Sequence, residues 1–146
     1  MLRADMPALP ALRHGLSAGE KLPDVTRSRW QQATGTEIHE AFGMSECSTF
    51  ISGSPDRPAP PGTLGFPQPG RRVAILSRGE PVAPGSPERP GTPGTIAIHR
   101  SDPGLMLGYL GAPALSDDWF ATGDIATLGH NGAVTYQGRA DDMLNA

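Results

Sequence analysis

Cysteine is nearly absent from this chain: Cys47 is the only one in 146 residues. That excludes a disulfide framework and a cysteine-built metal site. Excess positive charge is absent too. Lysine and arginine total 12 against 15 aspartates and glutamates, a net charge of −3, so no basic footprint points to nucleic acid. No apolar run approaches the roughly 18 residues that span a bilayer. Met1-Leu2-Arg3-Ala4-Asp5-Met6 carries an early acid and no apolar core, unlike a secretory signal. The expectation is a soluble, cytoplasmic protein with no membrane span and no nucleic-acid partner.

Hydrophobic residues are sparse as well, at 37% against a usual share of roughly 45–50%. Glycine and proline, 19 and 16 residues, make up about 24% of the chain, close to the roughly 25–30% where disorder sets in. About half of them fall in two stretches, Pro55 to Gly70 and Pro81 to Gly94. Val73-Ala74-Ile75-Leu76 and Thr95-Ile96-Ala97-Ile98 stand beside those stretches, which therefore read as turns between strands. The length suits one ordinary domain with a real core.

Leu12 to Ala18, closed by Gly19, reads as a buried strand ending in a turn. Lys21-Leu22-Pro23-Asp24 opens a helix with Pro in the first turn and Asp24 at its N-terminus. Val25, Trp30 and Ala33 give that helix a narrow apolar face, and Gly35 ends it. Glu37 to Phe42 is a second strand, followed by a Gly43-Met44-Ser45-Glu46 loop. Strand, helix, strand makes a βαβ-type unit, with loops at the strand ends where α/β proteins put ligands. Beyond about Pro60 the expected elements are short strands, Arg72–Leu76, Gly94–Arg100, Ile125–Leu128 and Ala133–Gln137, which suit a small antiparallel barrel or sandwich. Leu105–Leu110 suits a helical turn. His130-Asn131-Gly132 signals a hairpin.

Four short stretches carry chemistry. In Trp119-Phe120-Ala121-Thr122-Gly123-Asp124 and Gly138-Arg139-Ala140-Asp141-Asp142, a carboxylate and a guanidinium lie fifteen positions apart. A carboxylate accepts from both hydroxyls of a ribose, and a guanidinium donates to the same sugar or to a phosphate. Ala41 to Glu46 combines an aromatic face for a flat base, a hydroxyl for a phosphate and a carboxylate for a hard cation such as Mg²⁺. Ser17-Ala18-Gly19-Glu20 offers backbone to a base at a strand end. Each has an ordinary reading as well. Phe42 suits a core aromatic before a polar turn, Thr122-Gly123-Asp124 a hairpin turn, and Arg139 a solvated arginine.

Taken together and in order, the four stretches closely resemble the adenylate-forming superfamily, which includes acyl-CoA synthetases and aryl-CoA ligases. The resemblance runs from Leu12 to the end and leans toward acyl- or benzoate-type CoA ligases. Pro61-Gly62-Thr63-Leu64-Gly65, Gly94 to Ile98 and Gly108-Tyr109-Leu110 are similar to the same family's barrel segments. It implies the end of an α/β subdomain over residues 1–60, a small distorted antiparallel β-barrel over 61–137, and a hinge from 138 to 146. It also implies ATP/AMP, Mg²⁺, coenzyme A and a carboxylic acid as ligands. Gly19, Glu20, Glu40, Ala41 and Phe42 would line the adenine, beside Gly43 and Met44. Ser45 would meet the α-phosphate in the family's Thr role and Glu46 would bind Mg²⁺. Asp124 would hold the ribose, with Arg139 assisting and Tyr136 packing nearby. Asp141 would be the hinge about which the family's C-terminal lid turns.

Nothing here resembles the family's Gly- and Ser/Thr-rich phosphate loop ending in lysine. Lys21, the only lysine, does not match the family's acylation lysine either. The expectation is therefore a fragment with little ligase activity alone, whose complement would be a further N- or C-terminal segment. The alternatives are a non-catalytic nucleotide-binding or interaction module and an inactive remnant. Edge strands separated from a larger sheet would also promote self-association.

Overall fold

The computed structural model describes residues 9–78, 80–82 and 91–143. The expected βαβ unit is there: β1 (His14–Ala18), α1 (Asp24–Thr34) and β2 (Glu37–Met44). β1 and β2 pair in parallel, with Leu16 beside His39 and Ala18 beside Ala41. Gly35 caps α1 at φ 70°, and its N–H donates to the Gln31 carbonyl at 2.8 Å. The expected apolar face of α1 is only partly realised. Val25 is 59% exposed and no residue of α1 is buried. Polar bonds attach the helix instead: Arg27 Nη1 donates to the Ile38 carbonyl and Trp30 Nε1 to Thr36.

Two strands that the sequence reading passed over complete this sheet. β3 (Ser48–Ser52) pairs antiparallel with β2, and β4 (Phe66–Pro67) with β3, giving the order β1-β2-β3-β4. A bulge between Phe42 and Gly43 brings β2 onto β3 so closely that a Cβ at 43 would lie 2.2 Å from the Ser48 carbonyl oxygen. Only glycine fits there. Gly43→Ala is expected to cost about 1–3 kcal/mol, read as a lower urea midpoint at unchanged slope.

The second sheet holds β5 (Val73–Ser77), β6 (Glu80–Val82), β7 (Gly94–His99), β8 (Trp119–Leu128) and β9 (Val134–Arg139), all antiparallel, in the order β6-β5-β7-β8-β9. The strands expected here are present, but among the described residues they do not close into a barrel: β6 and β9 lie at the two ends of the sheet. Part of the β9 edge is paired by the segment just before β4. Leu64 N–H donates to the Val134 carbonyl and Val134 N–H to the Gly65 carbonyl, each at 2.8 Å. Leu105–Leu110 is not a helical turn but a run of bends and extended backbone. The hairpin is where Asn131-Gly132 put it, with Gly132 at φ 81° and its N–H donating to the Gly129 carbonyl at 2.9 Å.

The two sheets share one core. Cys47, Phe50 and Ile51 from the first meet Ile75, Ile96, Ile98, Ala126 and Val134 from the second. Phe50, Ile51, Ile96 and Ile98 are completely shielded from solvent. Burying a side chain of that size contributes about 1.5–3 kcal/mol, so this seam holds the sheets together. A four-residue α2 (Ala140–Met143) follows β9.

Candidate functional site

β8 carries the central carboxylate, and a local irregularity aims it. Between the pairs Ala97–Ala121 and Thr95–Ile125, β8 takes four steps against two on β7. The extra residues form a bulge at Thr122-Gly123-Asp124, with Gly123 at φ 79°. Thr122 stabilises it from within: its hydroxyl donates to the Ile96 carbonyl at 3.0 Å and accepts the Asp124 N–H at 3.2 Å. Thr122, Asp124, Ala126 and Leu128 alternate inward along the strand. Asp124 is therefore buried, at 6% exposure.

Asp124 and Arg139 are register partners across β8 and β9. The guanidinium lies against Gly123, where a Cβ would sit 3.0 Å from Nη2. Arg139 Nη1 is 3.5 Å from Asp124 Oδ2 and donates to the Thr122 carbonyl at 3.0 Å. Its Nη2 reaches Asp141 Oδ2 at 3.9 Å. The Tyr136 hydroxyl donates to Asp124 Oδ1 at 3.3 Å. Burial and the Asp124 charge together push the Tyr136 phenol above its ordinary value, so at neutral pH it stays a donor.

Tyr136 also connects this cluster to the first sheet. Its ring centroid is 5.6 Å from that of Phe42, which in turn packs edge-on against Phe50 at 5.5 Å. Phe42 and Tyr136 stand at one side of a cavity of about 890 Å³. Gly19, Glu20, Glu40, Ala41 and Gly43 also line it, so seven expected site residues share one cavity. Pro58 to Leu64, with Arg27 and Gln31 of α1, line the same cavity, which the sequence alone does not indicate. The prolines there read as turn material, and nothing in their spacing marks a cavity.

Met44, Ser45 and Glu46 do not line this cavity. Met44 packs against the core, and Ser45 is exposed in the turn closed by Cys47 N–H on the Met44 carbonyl at 3.2 Å. Glu46 Oε1 accepts the Tyr109 hydroxyl at 2.7 Å, which raises the phenol's pKa, and the Glu46 carbonyl accepts Met106 N–H.

A buried ion pair under this turn escaped the sequence reading. Arg71 Nε meets Asp102 Oδ1 at 2.9 Å, and the Asp102 side chain is fully shielded. The other guanidinium nitrogens donate to the Thr49 and Cys47 carbonyls at 2.6 and 2.7 Å. Asp102 accepts the N–H groups of Arg72 and Gly104 as well. Asp102-Pro103-Gly104 is legible as a turn, but a partner 31 positions upstream is not.

His39, also lining the cavity, is buried, and its Nε2 lies 3.4 Å from Glu37 Oε2 without a hydrogen bond. Burial holds its pKa below the ordinary value, helped by His14 and Arg27 and opposed by Glu37. Among the described residues, no group of three or more His, Cys, Asp or Glu side chains is arranged to hold a metal ion. None of the helices among them is long and apolar enough to cross a membrane.

Comparison with known proteins bears on this arrangement. The sequence profile of the AMP-binding enzyme family matches residues 1–110. A 3-hydroxybenzoate-CoA ligase of Aromatoleum sp. (strain CIB) is 34% identical over 143 residues, covering 91% of this chain and 25% of that protein. An uncharacterized acyl-CoA ligase of Bacillus subtilis (strain 168) is 30% identical, over 93% of this chain and 26% of its own length. Among solved structures, a benzoate CoA ligase from Burkholderia xenovorans LB400 superposes with a TM-score of 0.71 at 29% identity, over 92% of this chain and 27% of that one. An anthranilate CoA ligase in complex with anthranoyl-AMP gives a TM-score of 0.67 at 28% identity, over 90% of this chain and 25% of that one. The chain thus spans about a quarter of the length of the relatives it matches.

Proposed function

The chain belongs to the AMP-binding enzyme family, and from that premise we propose that it carries the nucleoside-holding side of an adenylate-forming acid-CoA ligase site. The observation that carries this reading is the continuous contact Phe42–Tyr136–Asp124–Arg139, in which Phe42 and Tyr136 line the cavity and Asp124 and Arg139 continue from Tyr136 outside its lining. An aromatic pair suits a purine face, and a shielded carboxylate beside a guanidinium suits a vicinal diol. Gly19, Glu20, Glu40, Ala41, Phe42 and Gly43 take the adenine side, and Asp124, Arg139 and Tyr136 the ribose side; Met44 packs against the core instead. Ser45 takes the α-phosphate. Asp141 serves as the hinge, within reach of Arg139.

Glu46 is the residue that would hold Mg²⁺. A lone carboxylate fits that ion, which keeps its waters and takes its remaining oxygens from nucleotide phosphates. When bound, Mg²⁺ neutralises phosphate charge. Glu46 is pre-positioned for the role by Tyr109.

The full reaction of such ligases joins a carboxylate to AMP with release of pyrophosphate and then passes the acyl group to coenzyme A. Lys21 is the one lysine available, and it lies at the start of the cavity wall beside Glu20, away from the Ser45 turn in sequence. We therefore expect no pyrophosphate release from this chain with ATP, Mg²⁺ and a panel of aliphatic and aromatic acids. AMP is expected to bind nonetheless, and its 2′,3′-dideoxy analogue roughly tenfold or more weakly. Equal affinity for the two nucleotides would refute the ribose clamp, and steady pyrophosphate release would refute the division of labour.

A further inference from the structure

Arg72, His99 and Ser101 converge where β7 ends, beside the Trp119 start of β8. The three belong to none of the contacts assigned to the nucleotide. His99 Nδ1 accepts the Ser101 N–H at 3.2 Å, so that nitrogen carries a lone pair. Ser101 Oγ lies 2.5 Å from the same nitrogen. Nδ1 has one lone pair, so the serine hydroxyl donates into it in a contact shared with the Ser101 N–H. Arg72 Nη1 donates to the same Oγ. The imidazole is held in place by Trp119, edge to face with ring centroids 4.9 Å apart. Ser101 itself is exposed.

We propose that Ser101 is an activated nucleophile, with His99 as its base and Arg72 as the cation that stabilises its alkoxide, and that it accepts acyl groups from carboxylic esters with good leaving groups. A serine that merely caps its turn needs only the N–H bond to Nδ1. The hydroxyl contact and the guanidinium are additional, and they are the two elements that turn an alcohol into a nucleophile. In the reaction, Oγ bonds to the ester carbonyl carbon while its proton passes to His99 Nδ1. The bond from that carbon to the leaving oxygen then breaks, and the leaving group departs as its anion. The acyl group stays on Ser101 as an ester. His99 Nδ1 next releases its proton to solvent and is a base again. Water then attacks the ester carbonyl carbon while Nδ1 takes the water's proton, the bond from that carbon to Oγ breaks, Oγ recovers the proton from Nδ1, and the free acid leaves. No redox partner or metal enters either step, and the proposal is independent of the nucleotide reading.

The test uses p-nitrophenyl acetate with the intact chain. The expected result is a burst of p-nitrophenolate stoichiometric with protein, and an acetyl group mapped by peptide mass to Ser101. Ser101→Ala should abolish the burst, and Arg72→Gln should slow it roughly tenfold or more. Both residues are exposed, so the variants should keep the native circular dichroism spectrum. A burst that survives in Ser101→Ala would overturn the proposal. So would acetylation confined to Lys21 or the amino terminus, or an Arg72→Gln burst at the native rate.

Discussion

Asp102→Ala is expected to cost about 3–5 kcal/mol of folding free energy, the largest stability effect of any single substitution considered for this chain. The loss comes from leaving Arg71 behind. Its side chain is only 11% exposed, and three of its nitrogens are committed to Asp102, Thr49 and Cys47. With the carboxylate gone, a charge remains buried without its counter-charge, and the N–H groups of Arg72 and Gly104 lose their acceptor. Burial alone would raise the Asp102 pKa. The Arg72 and Gly104 N–H donors and the Arg71 guanidinium outweigh it and hold the group below the ordinary carboxylate value. A depressed folded-state pKa means that this stability is complete above about pH 4. It is lost as pH falls through the lower folded-state value. Urea unfolding of native and variant chains should therefore differ most above pH 4 and converge in stronger acid. A variant as stable as the native chain at pH 7 would contradict the assignment. Because Arg71 holds the Cys47 and Thr49 carbonyls, the same variant should loosen the Ser45-Glu46 turn.

Asp124→Ala is expected to lower AMP affinity roughly ten- to a hundredfold, the loss that follows from removing hydrogen bonds to a charged group. Its effect on stability should be small by comparison. The Arg139 partner is 43% exposed, so water screens the pair and it contributes at most about 1 kcal/mol. Thr122 still holds the bulge through Ile96. The pair of measurements matters here: a thermal melt close to native together with lost nucleotide binding assigns Asp124 to the ligand. Loss of both would make it a structural residue.

Much of this arrangement is legible in the chain itself, and the remainder is hidden for physical reasons. Gly35, Asn131-Gly132 and the Thr95–Ile98 run announce themselves because turns and half-buried strands have local signatures. β3 does not. Phe50 and Ile51 are both fully buried, so the strand lacks the in-and-out alternation that reveals strands. Thr122-Gly123-Asp124 suits a turn by composition, and Gly123 does take a turn-like φ, yet it does so within a bulged strand. Closure of the second sheet was expected from its run of short strands as well as from likeness to a family, and the placing of β6 and β9 at opposite ends of the sheet corrects it. Among the site residues, Phe42, Tyr136, Asp124 and Arg139 form one run of contacts. Arg71 with Asp102, and Tyr109 with Glu46, were hidden because long-range partners leave no trace in spacing.

The reading of this chain as the nucleoside-holding side of an adenylate site is tested most directly by calorimetric titration of the intact chain with AMP. Saturable binding at one site, weakened in Asp124→Ala, is the expected result. The absence of any saturable heat with AMP, or an affinity indifferent to Asp124, would contradict it.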